Sequence, residues 1–168
     1  YEKGIVAGIS RFLGNEGKSA IGIFIPEWYK EGSAMFMETA PTSVGRGRDP
    51  FFELVYKSLI LEESFFTYRL SGHFSPYSPH DRFYVAGYLI INHIAERYGE
   101  NTLQAIQEEF VRFPFFGLDR AIRKVTGKRG AEIFEELTHS LVSKYEDDFG
   151  TDEGVRVSPQ TRGSYYPP

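Results

Sequence analysis

The chain has no cysteine among its 168 residues. It therefore forms no disulfide and no thiolate metal site, and cysteine usage leaves the redox compartment open. No apolar run approaches the roughly 20 residues that a membrane-spanning helix needs. There is no stripe of basic residues, and a formal net charge of −4 argues against nucleic acid as a partner. Repeats and low-complexity segments are absent as well. What is abundant is aromatic: 15 Phe and 11 Tyr, within a hydrophobic fraction of 41 %. That composition and length fit one compact domain with a core large enough to stand alone.

Periodicity predicts a mainly α fold. A helix is expected from Pro26 to Glu38, Pro26 suiting its first position because the missing N–H costs nothing there. Asp49 and Pro50 read as the N-cap and first residue of a helix to about Glu63, with Phe51, Leu54, Val55, Ser58 and Leu59 on one side. Residues 64–81 read as a long loop. Asp81 is the expected cap of a helix from Arg82 to Tyr98 that stops at Gly99, and its stretch from Phe83 to Ile91, apolar nearly all round, places it centrally. Asn101 and Gln104 resemble a capping box for a helix with Leu103, Ile106, Phe110 and Val111 inward. A short helix buries Leu118, Ala121, Ile122 and Val125 and stops at Gly127. The last helix, from about Gly130 to Asp148, turns Ile133, Phe134, Leu137, Leu141 and Tyr145 inward. Strand signals are confined to Ile21–Ile25 and to Val155-Arg156-Val157-Ser158.

The segment richest in chemistry is Pro26-Glu27-Trp28-Tyr29-Lys30-Glu31-Gly32-Ser33-Ala34-Met35-Phe36-Met37-Glu38. Trp28, Glu31, Met35 and Glu38 fall on one side of a 3.6-residue period. A carboxylate between Trp and Met is costly to desolvate unless a cation, hydrogen-bond donors or a metal compensates it. The residues alone leave Glu31 open between a metal-oriented carboxylate and a salt-bridged or half-exposed one.

W-x-x-E-G-x-A with a glutamate at i+7 resembles the third-ligand helix of the gluzincin zinc metallopeptidases, the superfamily of thermolysin and aminopeptidase N. Further short motifs follow in the order found in gluzincin-like domains placed ahead of a TolB-type β-propeller. They are Gly14-Asn15, Pro26 to Glu38, Gly45-Arg46-Gly47-Arg48, Pro50 to Leu54, Tyr84 to Gly87, Tyr98-Gly99 and Thr126-Gly127-Lys128. The resemblance implies that Glu31 is the third zinc ligand, with Gly32 and Ala34 as small neighbours that let a second helix come close. It implies that Glu38 hydrogen-bonds a metal-ligating histidine, against the alternative of a surface glutamate. Tyr84, or His73 ahead of it, is the expected oxyanion donor, the alternative for Tyr84 being a core tyrosine with a satisfied hydroxyl.

The HExxH that supplies two histidines and the general base in that superfamily is not in this chain. Its four histidines, His73, His80, His93 and His139, all follow Glu31. The usual interval of roughly 20 residues leads back to Gly8–Phe12, which carries no ligand-type side chain. The expectation is therefore a fragment: residues 1–150 as the N-terminally incomplete helical half of a gluzincin-like domain, and 151–168 as a linker or the start of a propeller. The implied activity is zinc-dependent peptide hydrolysis by metal-activated water, absent from this fragment, which is not expected to bind zinc tightly. The implied partners are a peptide or protein substrate and the adjoining propeller, and the implied location is periplasmic or extracellular.

The competing reading is a catalytically inert helical scaffold or peptide-binding domain beside the propeller. Other candidates are thinner. His73 and His80 share a loop with Tyr77 and Asp81; a metal site there would need Asp81 as its third ligand, and solvated loop histidines are the better reading. Arg46 and Arg48 suit either a substrate carboxylate or a pair with nearby Asp or Glu, and the simple pair is the better reading.

Overall fold

A computed structural model describes residues 24–76 and 79–148. The fold is mainly α, with seven α-helices and no strand among the described residues. We number them α1 (Glu27–Thr39), α2 (Pro50–Leu61), α3 (Tyr68–Ser71), α4 (Arg82–Tyr98), α5 (Asn101–Arg112), α6 (Leu118–Thr126) and α7 (Gly130–Lys144). Short 3-10 turns at Arg46–Arg48, Pro114–Phe116 and Glu146–Asp148 join or follow them.

Helix α4 is the axis of the fold. Every residue from Val85 to Ile91 is buried, as are Ile94 and Ala95, and α1, α3, α5 and α7 all pack against it. The expected bounds of this helix match, and Gly99 ends it at φ +87°. Asp81 holds the N-cap position but makes no side-chain capping bond. All five residues expected inward on the last helix, Ile133, Phe134, Leu137, Leu141 and Tyr145, are buried, although the α-helix itself stops at Lys144. Leu118, Ala121 and Ile122 are buried on α6, which ends at Gly127 in the left-handed conformation.

Several local expectations need correction. Pro26 is the N-cap of α1 rather than its first residue, and its carbonyl accepts from the amides of Tyr29 and Lys30. Asp49 does cap α2, its carboxylate accepting from Phe51 N at 2.9 Å, but the buried face is different. Tyr56 and Ile60 point inward, with Phe52 packed against them, whereas Phe51 and Leu54 are 72 % and 56 % exposed. The helix PFFELVYKSLIL is apolar on more than one side, so periodicity could not choose the face. Asn101 forms no capping box. It is the first residue of α5, and Glu100 precedes it with no side-chain cap. The expected loop at 64–81 contains α3. Of the expected strand at Ile21–Ile25, Phe24 and Ile25 form a turn and bend. The remainder of that strand and the Val155–Ser158 segment lie outside the described residues.

Candidate functional site

The crossing of α1 and α4 brings backbone against backbone. A Cβ on Gly32 would lie 2.2 Å from the carbonyl carbon of Gly87, and one on Gly87 would lie 2.1 Å from the carbonyl oxygen of Trp28. Both positions are closed to any side chain, because the opposing atoms are backbone. The small residue at Gly32 thus does allow a close helix contact, and the helix it meets is α4. Around the crossing Trp28 and Met35 are buried, at 5 % and 1 % exposure.

That crossing places Glu31, one residue before Gly32, beside Tyr84, three residues before Gly87. The Tyr84 hydroxyl donates to the Glu31 carboxylate, and this bond is the first cause holding the phenol pKa above its ordinary value. Burial acts in the same direction, while the nearby Arg46 guanidinium acts against it. Both Glu31 and Tyr84 are half-buried. Two residues singled out separately, 53 positions apart, therefore meet in one exposed-edged site. Tyr84 is partly buried against the core and its hydroxyl is satisfied by Glu31.

Two turns along α1, Glu38 is exposed and joined to Arg46. Arg46 Nε and Nη2 donate to Glu38 Oε2 at 3.1 and 2.9 Å, and the Arg46 amide reaches Oε1 at 3.4 Å. The hydrogen bond from Arg46 holds the Glu38 carboxyl below its usual range. Arg48 Nη2 donates to the Thr39 carbonyl at 3.4 Å, and Gly47 lies against the Tyr88 ring, where a Cβ would be 2.2 Å from Cζ. The Gly45–Arg48 turn thus links the end of α1 to the middle of α4; the expected pairing with an acid is seen for Arg46, with Glu38, whereas Arg48 binds a backbone carbonyl.

The loop that carries His73 is tied to the same two helices. Gly72 packs on the Trp28 indole, and Arg82 Nε donates to the His73 carbonyl at 3.0 Å. The His73 side chain is exposed, and no hydrogen bond joins it to Glu31 or Tyr84. His80 is engaged elsewhere, its Nδ1 lying 3.1 Å from the Ser75 carbonyl and its ring stacked near Phe74. Tyr77 lies outside the described residues.

Among the described residues no group of three or more His, Asp and Glu could hold a metal ion. What they offer is one half-buried carboxylate, Glu31, backed by a phenol donor. No family model, curated protein or solved structure matches the chain. Among the described residues no helix is long and apolar enough to cross a membrane.

The residue that sequence reasoning underused is Gly87. An isolated glycine in an otherwise apolar helix is a signal of close backbone approach, and here it marks the partner of Gly32.

Proposed function

We propose that this chain is the helical half of a gluzincin-like zinc peptidase, with Glu31 as one of three protein ligands and the two histidines supplied by residues outside it. The observation that carries the reading is the Glu31–Tyr84 pair, fixed in place by the Gly32–Gly87 crossing. Lewis-acid activation of water is the chemistry that zinc supplies in such sites.

The roles proposed for this chain's own residues come from the resemblance, and the Glu31–Tyr84 contact supports them. Glu31 offers a carboxylate whose direction is set by the Tyr84 hydroxyl. Tyr84, half-exposed on the same edge, has a single O–H, held here by Glu31, and serves a substrate carbonyl oxygen as donor only when turned away from that carboxylate. Arg46 holds Glu38 in place on the neighbouring turn, where Glu38 orients a ligating histidine. His73, carried on a loop braced by Trp28 and Arg82, is the second candidate donor. A peptide or protein is the substrate, an adjoining β-propeller is the partner domain, and the periplasm or cell surface is the location.

The test is to express the source gene's protein with the segment upstream of Tyr1 and measure zinc content and peptide hydrolysis. Zinc at one equivalent, lost in Glu31→Gln, supports the reading. Tyr84→Phe is then expected to keep zinc and lower turnover by roughly 10²-fold or more, the usual cost of an oxyanion donor. A folded longer protein without zinc would sink the peptidase and leave the inert scaffold. That second reading draws on the solvent-exposed aromatic side chains Phe51, Phe74, Phe115 and Phe116.

A further inference from the structure

Helices α1 and α5 both pack on α4 but make little direct contact with each other among the described residues. Between them lies a groove of about 500 Å³, where Ile91 of α4 also reaches the surface of the cavity. Its walls are apolar, Phe36 and Met37 from α1 and Leu103, Phe110 and Val111 from α5. A largely apolar cavity of this size between helices is of the kind that holds a small molecule. Tyr29 and Phe36 lie on the flank of α1 opposite Glu31 and Glu38, so the groove is separate from the Glu31–Tyr84 site.

One polar side chain stands in the apolar wall. Tyr29 lines the groove and is only 9 % exposed, and its hydroxyl has no hydrogen-bond partner among the described residues. A buried tyrosine hydroxyl ordinarily finds one. Burial alone pushes its pKa up to about 12, so the phenol keeps its proton and has an O–H to donate. Its complement is an acceptor oxygen.

The rim decides what charge that acceptor carries. Lys30 is exposed there and already paired with Glu27 at 2.7 Å. Glu100 stands at the same rim, just before α5. One base shared with an acid, and a second acid across the groove, give no net pull on a carboxylate. Asn101 and Gln107 add only neutral groups.

We propose that the α1–α5 groove binds a small, neutral, mostly apolar molecule whose carbonyl oxygen accepts from the Tyr29 hydroxyl. The rings of Tyr29, Phe36 and Phe110 suit an aryl body, so aryl ketones and amides are the ligand class. The site needs no metal and does not rest on the peptidase reading.

The experiment uses the whole chain and three probes of nearly equal shape. They are acetophenone, α-methylstyrene, in which a methylene replaces the carbonyl oxygen, and benzoate, which carries a negative charge. Amide chemical shifts in NMR report binding. Acetophenone is expected to give saturable shifts confined to α1, α5 and the middle of α4, and benzoate to bind more weakly. Tyr29→Phe is expected to weaken acetophenone about fivefold, the worth of one neutral hydrogen bond, without weakening α-methylstyrene. No saturable shift at the groove overturns the proposal, as would follow if another part of the chain or a second copy occupied it. So does tighter binding of benzoate than of acetophenone, or an equal loss for ketone and alkene in Tyr29→Phe. If that variant does not fold, the carbonyl stretch of acetophenone bound to the wild-type chain decides. A stretch lowered from its value in hexane supports the bond, and an unchanged one overturns it.

Discussion

Helix α4 is packed in two contrasting ways. Against α1 it is backbone on backbone, with Gly32 and Gly87 leaving no room for a methyl group. Against α7 it leaves two pockets and three unpaired polar atoms. A contact without intervening side chains has no slack to absorb change, whereas a polar, partly hollow seam responds to solvent. The rigid contact carries the candidate site.

The largest test of this contrast is Gly87→Ala. The new methyl meets the Trp28 carbonyl with backbone on both sides, so a loss of about 3 kcal/mol, at the upper end for overpacking, is expected in urea unfolding. A loss under about 1 kcal/mol would mean that the helices separate easily and that the contrast is false. Next is Leu137→Ala on α7. Leu137 is buried but lines the pocket beside His93, so its loss enlarges an existing space. About 2 kcal/mol is expected, the low end for such truncations. A smaller effect is expected at the end of α7, where the Tyr145 hydroxyl donates to Glu53 Oε1 at 2.5 Å and Lys144 Nζ reaches the same oxygen at 2.7 Å. Tyr145→Phe should cost about 1 kcal/mol. The hydrogen bond from Lys144 and then that from Tyr145 hold Glu53 below its usual range. Their contribution is present at neutral pH and is lost as acid protonates that carboxylate. The variant should therefore show a shallower loss of stability below about pH 4.5.

The same contrast explains what could be read in advance. The ends of α4 and the inward face of α7 follow from one uninterrupted apolar stripe and a terminal glycine, and both expectations hold. The face of α2 does not follow, because Phe51, Phe52, Leu54 and Tyr56 give apolar character all round, and only packing against Tyr88 and Tyr145 selects Phe52 and Tyr56. The absence of an Asn101 cap reflects a one-residue shift in where the helix starts, which local chemistry does not specify. At the candidate site, Glu31 and Tyr84 were each legible as candidates, but their meeting depends on which helix Gly32 approaches. The unpaired nitrogen of His93 had no sequence signal, since a histidine in a buried helix is neutral in pattern terms.

The Gly32–Gly87 crossing has a mechanical consequence. Gly87 lies against both the Trp28 carbonyl and Gly32, one turn apart on α1, so any tilt of α1 would pivot about this short contact. Glu31 is one residue from that fulcrum, about 1.5 Å along the axis, while Thr39 is seven residues away, about 10 Å. A rocking of about 10° would move Thr39 by nearly 2 Å and Glu31 by only about 0.3 Å. The carboxylate sits where leverage is smallest, so motion at the ends of α1 reaches it strongly attenuated.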